Sequence, residues 1–141
     1  MPPIRPAAPE DLRAVENIYR LALQDANWLP PTDRLNADFA KSSEGEKVFV
    51  CGSDLGDILG FISIWQEGSY IHHLYVCSAS QRKGIGTALI ESLKSWLPKP
   101  WCLKCVAANT KALHFYKHQG FETVSEHDDA NPPYILLRSE A

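Results

Sequence analysis

Leu12, Val15, Ile18, Tyr19 and Ala22 recur at three- and four-residue steps, the stripe of an amphipathic helix with one face on a core. Glu10 and Asp11 precede it, the acidic first turn that favours a helix start. Ile4–Pro6 ahead of it predicts a short strand, and Trp28-Leu29-Pro30-Pro31 breaks the stripe. Leu35 and Phe39, one turn apart, predict a second helix over Thr32–Ala40. The pattern then turns β-branched and aromatic. Lys47–Cys51, Ile58–Trp65 and Ser69–Val76 read as three strands, parted by turns at Gly52–Gly56 and Glu67-Gly68, in an antiparallel meander. Ile85, Leu89, Ile90, Leu93 and Leu97 restore helical spacing over Gly84–Leu97, which Pro98 ends. A strand (Trp101–Ala107), a short helix (Thr110–Gln119) and two strands (Glu122–Glu126 and Tyr134–Leu137) complete the chain. The order β-α-α-β-β-β-α-β-α-β-β predicts a mixed α+β fold, a mostly antiparallel sheet flanked by helices. No repeat or linker divides it, so residues 1–141 read as one domain.

Composition narrows the function more than the fold. Fourteen basic against seventeen acidic residues leave a formal charge of -3, which argues against a nucleic-acid partner. No apolar run reaches the roughly 18 residues of a spanning helix, and the first six residues carry no signal-peptide core. The expectation is a soluble, cytoplasmic protein with no membrane partner. Cys102 and Cys105 form a C-x-x-C, but in a strand, residues three apart face opposite ways and cannot share an ion. Cys51, Cys77, Cys102 and Cys105 are therefore read as reduced packing residues, and no metal is expected.

The chemistry concentrates in Gln81-Arg82-Lys83-Gly84-Ile85-Gly86-Thr87-Ala88-Leu89, between a predicted strand and a predicted helix. Two glycines, a helix N-terminus, two cations and a hydroxyl suit an anion such as a pyrophosphate. No Lys-Ser/Thr pair follows at Walker A spacing, and Leu89 stands where a dinucleotide fingerprint needs its third glycine. Leu74-Tyr75-Val76 followed by Gln81-x-x-Gly84-x-Gly86 resembles motif A of the GNAT superfamily of N-acetyltransferases, Q/R-x-x-G-x-G/A. Asn109-Thr110-Lys111-Ala112-Leu113-His114-Phe115-Tyr116-Lys117-His118-Gln119-Gly120-Phe121 resembles that family's second signature. The element order matches too, so the resemblance spans essentially the whole chain.

The resemblance implies acetyl-CoA as co-substrate. Leu74, Tyr75 and Val76 would pair their backbones with the pantetheine arm, and the Val76 N–H would polarise the thioester carbonyl. Gln81, Arg82, Lys83, Gly84, Ile85, Gly86 and Thr87 would hold the pyrophosphate, with Asn109 and Lys111 (or Lys117) helping from the second helix. Tyr116 would be the general acid for the leaving thiolate, in a direct transfer that needs no cysteine. A base must also take the amine's proton. His72 falls where small-molecule members carry a catalytic His or Glu, and strand alternation sends His73 to the opposite face. Trp28, Trp65 and Tyr70 are candidate acceptor contacts. Asp33, Glu67, Glu126, Asp128 and Asp129 would suit a cationic amine. The expected partner is a small primary amine, with a homodimer as one way to complete the pocket roof. A peptide acetyltransferase and a non-catalytic acyl-CoA-binding module are the alternatives.

Overall fold

The computed structural model describes residues 3–141. Its element order is β1 (Ile4–Pro6), α1 (Leu12–Asp25), α2 (Pro31–Leu35), α3 (Phe39–Ser42), β2 (Lys47–Gly52), β3 (Ile58–Trp65) and β4 (Tyr70–Val76). Helix α4 (Ile85–Ser92), β5 (Cys102–Val106), α5 (Thr110–His118), β6 (Glu122–His127) and β7 (Tyr134–Arg138) follow. The strands form one seven-stranded sheet, β1-β2-β3-β4-β5-β7-β6, antiparallel throughout except between β4 and β5. This is the mixed, mostly antiparallel architecture that the hydrophobic pattern predicts.

Alternation along the central strands feeds a core on each face. Val50 and Phe61 pack under α1 and α3 with Val15, Ile18, Tyr19 and Phe39. Their neighbours Cys51 and Ile62 face the other way, into a larger core with Ile85, Leu89, Leu93, Leu103 and Leu137. Asp11 ties β1 to the start of α1. Its carboxylate accepts the Ala8 N–H at 2.7 Å and the Arg5 guanidinium at 2.6 and 3.0 Å, which holds its pKa down to about 2.

Two helices differ from the periodicity. The predicted helix over Thr32–Ala40 is broken into α2 and α3, because Asp38 is extended and caps α3, accepting the Lys41 N–H at 3.2 Å. The helix predicted to reach Leu97 stops at Ser92 and tightens into a 3₁₀ turn over Leu93–Ser95. Ser92 and Ser95 there donate their hydroxyls to backbone carbonyls three residues back, in competition with the helix ladder. Among the described residues no helix is long and apolar enough to cross a membrane.

Phe39 anchors short α3 to the sheet. It is 2% exposed, with ring centroids 4.9 Å from Phe61 and 5.3 Å from Tyr19. Phe39→Ala is expected to cost about 3–5 kcal/mol of stability, read as a lowered urea midpoint with an unchanged slope.

Candidate active site

Strands β4 and β5 run parallel but share one register pair, Tyr70 opposite Cys102, fastened by the Cys102 N–H to the Ser69 carbonyl at 3.1 Å. Beyond that pair they part. On the other edge of β4, the Cys77 N–H donates to the Leu59 carbonyl at 2.9 Å. Alternation from that bond turns the backbone groups of Tyr75 toward β3 and those of Leu74 and Val76 into the gap. Of the three residues predicted to offer backbone pairing, two are thus aimed at the opening. Close approach of β3 to β4 requires Gly60, where a Cβ would come within 2.9 Å of the Tyr75 carbonyl oxygen.

The loop after β4 ends at Gly84, whose φ of 78° is the left-handed turn that starts α4. No side chain caps this helix, so its first N–H groups face outward beside exposed Arg82 and Lys83. Gly86 is small for another reason than ligand approach: a Cβ there would stand 3.0 Å from the Phe115 ring. That contact seats α5 against α4. Lys111 Nζ donates to Gln81 Oε1 at 2.7 Å, and Gln119 Nε2 donates to the Thr87 hydroxyl at 3.0 Å. Asn109 Oδ1 caps α5, accepting the Ala112 N–H at 3.2 Å.

A cavity of about 830 Å³ runs through the gap. Tyr19, Trp28, Asp33, Asp38 and Lys41 line it from the α1–α3 side, and His72 to Tyr75 from β4. Lys104 to Val106 line it from β5, and Asn109, Ala112 and Tyr116 from α5. Trp65 stands outside this lining, half-exposed against Gly45. Tyr70 is also outside it, half-buried at the foot of the gap with its ring 5.9 Å from His72. Of the acidic residues expected near an acceptor, Asp33 lines the cavity and Glu67, Glu126, Asp128 and Asp129 do not.

The two histidines correct the expectation from alternation. Register slips between Ser63 and Ile64, which lie opposite His73 and Ile71, so His72 is the extra residue of a β-bulge. The bulge turns both rings to the α1–α3 side, with centroids 3.9 Å apart. His73 is 6% exposed, packs on Tyr19 and Phe39, and meets the Ser42 hydroxyl at 3.1 Å through Nε2. Burial, with the neighbouring His72, lowers its pKa to about 3, so it stays neutral. His72 remains more open and meets Glu46 Oε2 through Nδ1 at 2.5 Å.

Nothing in the sequence pattern points to Glu46. It lies in a turn between α3 and β2, in no motif, and reaches His72 only through the fold. Its other oxygen accepts the Ser63 hydroxyl. Donor atoms of Glu46, His72 and His73 fall within 4.8 Å of one another, the donor set of a two-histidine, one-carboxylate site. Here those donors are engaged with one another and with Ser42 and Ser63.

Tyr116 stands across the cavity, its ring 5.3 Å from Phe115 and 5.7 Å from Phe121. Burial pushes its phenol well above the usual tyrosine range, so it keeps its proton. Cys105 also lines the cavity, and burial raises its thiol to about 11. The arrangement thus provides a hydrogen-bonded histidine on one side, a protonated phenol on the other, and free backbone groups between them.

A family model described as "Acetyltransferase (GNAT) family" matches residues 12–121. Over 69 residues the chain is 36% identical to the peptidyl-lysine N-acetyltransferase YiaC of Escherichia coli strain K12. That stretch covers 49% of this chain and 46% of YiaC, so the match spans about half of either protein. Among solved structures, a GCN5-related N-acetyltransferase from Rhodopseudomonas palustris aligns with a TM-score of 0.80 at 18% identity, covering 100% of this chain and 96% of that one. Apo YjaB from Escherichia coli aligns with a TM-score of 0.78 at 22% identity, covering 98% and 95%. At these identities the two structures bear on the fold.

A buried histidine held neutral makes stability depend on pH with a defined sign. With the folded-state pKa of His73 depressed from 6.5 to about 3, its contribution is fully present above 6.5 and is lost as pH falls toward 3. Unfolding free energy should fall across that window, and His73→Gln should flatten the fall, as measured by denaturant titrations at several pH values.

Proposed function

Because the chain belongs to the acetyltransferase (GNAT) family, we propose that it transfers an acetyl group from acetyl-CoA to a primary amine held in the cavity between β4 and β5. One observation carries this reading: a single cavity crosses the sheet and is lined by both His72 and Tyr116. His72 takes the proton the amine must lose, and Tyr116 protonates the departing thiol.

The residues present fit acetyl-CoA, which supplies the acyl group as a thioester. The pantetheine arm would lie along the open edge of β4, pairing with the backbone groups of Leu74 and the Val76 N–H in the manner of an added strand, while the Val76 carbonyl accepts Gln81 Nε2 at 3.4 Å. Val76 donates its N–H to the thioester carbonyl oxygen, where negative charge grows during attack. The uncapped start of α4, with Arg82 and Lys83 at its rim, holds the pyrophosphate. Gln81, fixed by Lys111, closes the loop beside it.

The amine nitrogen forms a bond to the carbonyl carbon, and the carbon–sulfur bond breaks. The amine's proton passes to His72, and the proton on sulfur comes from Tyr116. A thiol held at about 11 makes Cys105 a poor nucleophile near neutral pH, which supports direct transfer over an acyl-enzyme.

The acceptor is a small primary amine in this reading. Asp33 and Asp38 in the lining are matched by Lys41 and Lys104, so no strong excess of negative charge selects a polycation. A second reading is favoured by the stretch 36% identical to a peptidyl-lysine acetyltransferase: a lysine side chain entering the same cavity. Lysine is itself a primary amine on a thin apolar stem.

Amine-dependent thiol release from acetyl-CoA tests the reading, with a panel of small amines set against lysine-containing peptides. Turnover on small amines supports the first acceptor class, and turnover on peptides alone supports the second. Tight acetyl-CoA binding with no turnover on either would establish a binding module instead. His72→Gln and Tyr116→Phe should each lower kcat about 100-fold or more while leaving acetyl-CoA affinity within a few-fold. An unchanged rate in either variant would remove that residue from the mechanism.

A further inference from the structure

The carboxylate of Glu46 is 5% exposed, and among the described residues His72 is its one basic partner. Both of its oxygens are engaged, one by the Ser63 hydroxyl and the other by His72 Nδ1 at 2.5 Å. Ser63 is fully buried, lies opposite His73 in the sheet, and sits at the bulge that displaces His72. The chain Ser63–Glu46–His72 therefore runs from the sheet interior to the cavity wall. A carboxylate can only accept hydrogen bonds, so the hydrogen of this contact lies on Nδ1. A neutral His72 then carries its lone pair on Nε2.

We propose that Glu46 is a positioning residue for the base: it fixes His72 as the Nδ1–H tautomer, leaves Nε2 for the acceptor amine, and balances the positive charge when His72 takes the proton. This rests on the acetyltransferase reading with His72 as base. The logic is that of a buried acid behind a catalytic histidine, with the incoming amine in the place of a protein nucleophile. His73 cannot substitute. Its Nε2 is already occupied by Ser42, and its ring is buried under α1 and α3. Of the paired rings, only the one held by Glu46 has an exposed edge.

Glu46→Gln separates positioning from packing. Glutamine matches the size, its carbonyl still accepts from Ser63, and its amide donates to Nδ1. The hydrogen of a neutral His72 must then move to Nε2, which removes the lone pair facing the amine. The variant should keep the wild-type unfolding midpoint and KM values within about twofold, while kcat falls about 100- to 1,000-fold. Long-range ¹H–¹⁵N spectra of the ring should show Nδ1–H in the wild type and Nε2–H in Glu46→Gln. Glu46→Gln combined with His72→Gln should be no slower than His72→Gln alone, because Glu46 acts through His72.

Wild-type kcat in Glu46→Gln, an Nε2–H tautomer in the wild type, or multiplying losses in the double variant would each overturn the assignment. The spectra need no turnover. A wild-type protein that releases no thiol with any amine therefore overturns the acetyltransferase reading, and the tautomer alone then decides whether Glu46 sets the ring.

Discussion

Strands β4 and β5 stand side by side as parallel neighbours yet pair only at Tyr70 and Cys102, and the functional architecture depends on that early parting. An unpaired N–H or C=O inside a sheet is costly unless water, a side chain or a ligand takes the place of the missing strand. The gap is held open because each strand is committed on its other edge, β4 to β3 and β5 to β7 along its whole length. The two faces of the sheet are then covered by different helices. Helices α1 and α3 press on one face, and α4 and α5 on the other. A channel between the strands joins those faces, so groups from opposite sides of the sheet meet in one space. This is how a histidine packed near α3 and a tyrosine on α5 come to line the same cavity.

Within that frame, a single inserted residue decides the chemistry of the wall. In a regular strand His72 and His73 would point to opposite faces, and no carboxylate from the α3–β2 turn could hold one of them beside the other. The bulge turns both rings one way, and each then finds its own partner, Ser42 for the buried ring and Glu46 for the open one. Two imidazoles this close disfavour a shared charge. Burial keeps His73 neutral, and the ring beside the carboxylate is the more exposed of the two.

Much of the frame is legible in the residues. The period of apolar positions places α1, the three meander strands and α4, and the strand–loop–helix around Gln81 to Thr87 stands where its glycines and cations indicate. These features are local: a left-handed turn at Gly84 or a stripe from Leu12 to Ala22 is written in consecutive residues. The parts that are not legible depend on contacts between distant segments. Strand periodicity cannot reveal a bulge whose extra residue is as β-compatible as its neighbours. Glu46 lies 26 residues from His72 in a short polar turn, and only the pairing of β2 with β3 and β3 with β4 carries it there. Trp65 shows the converse. An aromatic at a strand end looks like an acceptor contact, yet its ring lies over Gly45, outside the cavity lining.

The same contrast divides the cavity itself. Toward α4 the groups on offer are backbone: those of Leu74 in the lining and, beyond it, the Val76 N–H and the uncapped first turn after Gly84. Such a surface tolerates most side-chain changes so long as its turn and its glycines survive. That is consistent with a shared fold at 18% and 22% identity to solved structures. On the side of α1 to α3, Tyr19 and Leu23 of α1 are joined by side chains on short helices and turns, from Trp28 and Asp33 to Lys41. A one-residue change in the break between α2 and α3 would redraw that wall without touching the other. Under the proposed function, acceptor choice rests on the segment from Trp28 to Glu46, with His72 and its carboxylate where that segment meets the sheet. An overall charge of -3 does not select the acceptor, because Asp33 and Asp38 face the cavity together with Lys41 and Lys104. Under the proposed function, the shape of that wall and the reach of His72 Nε2, rather than bulk acidity, select the amine.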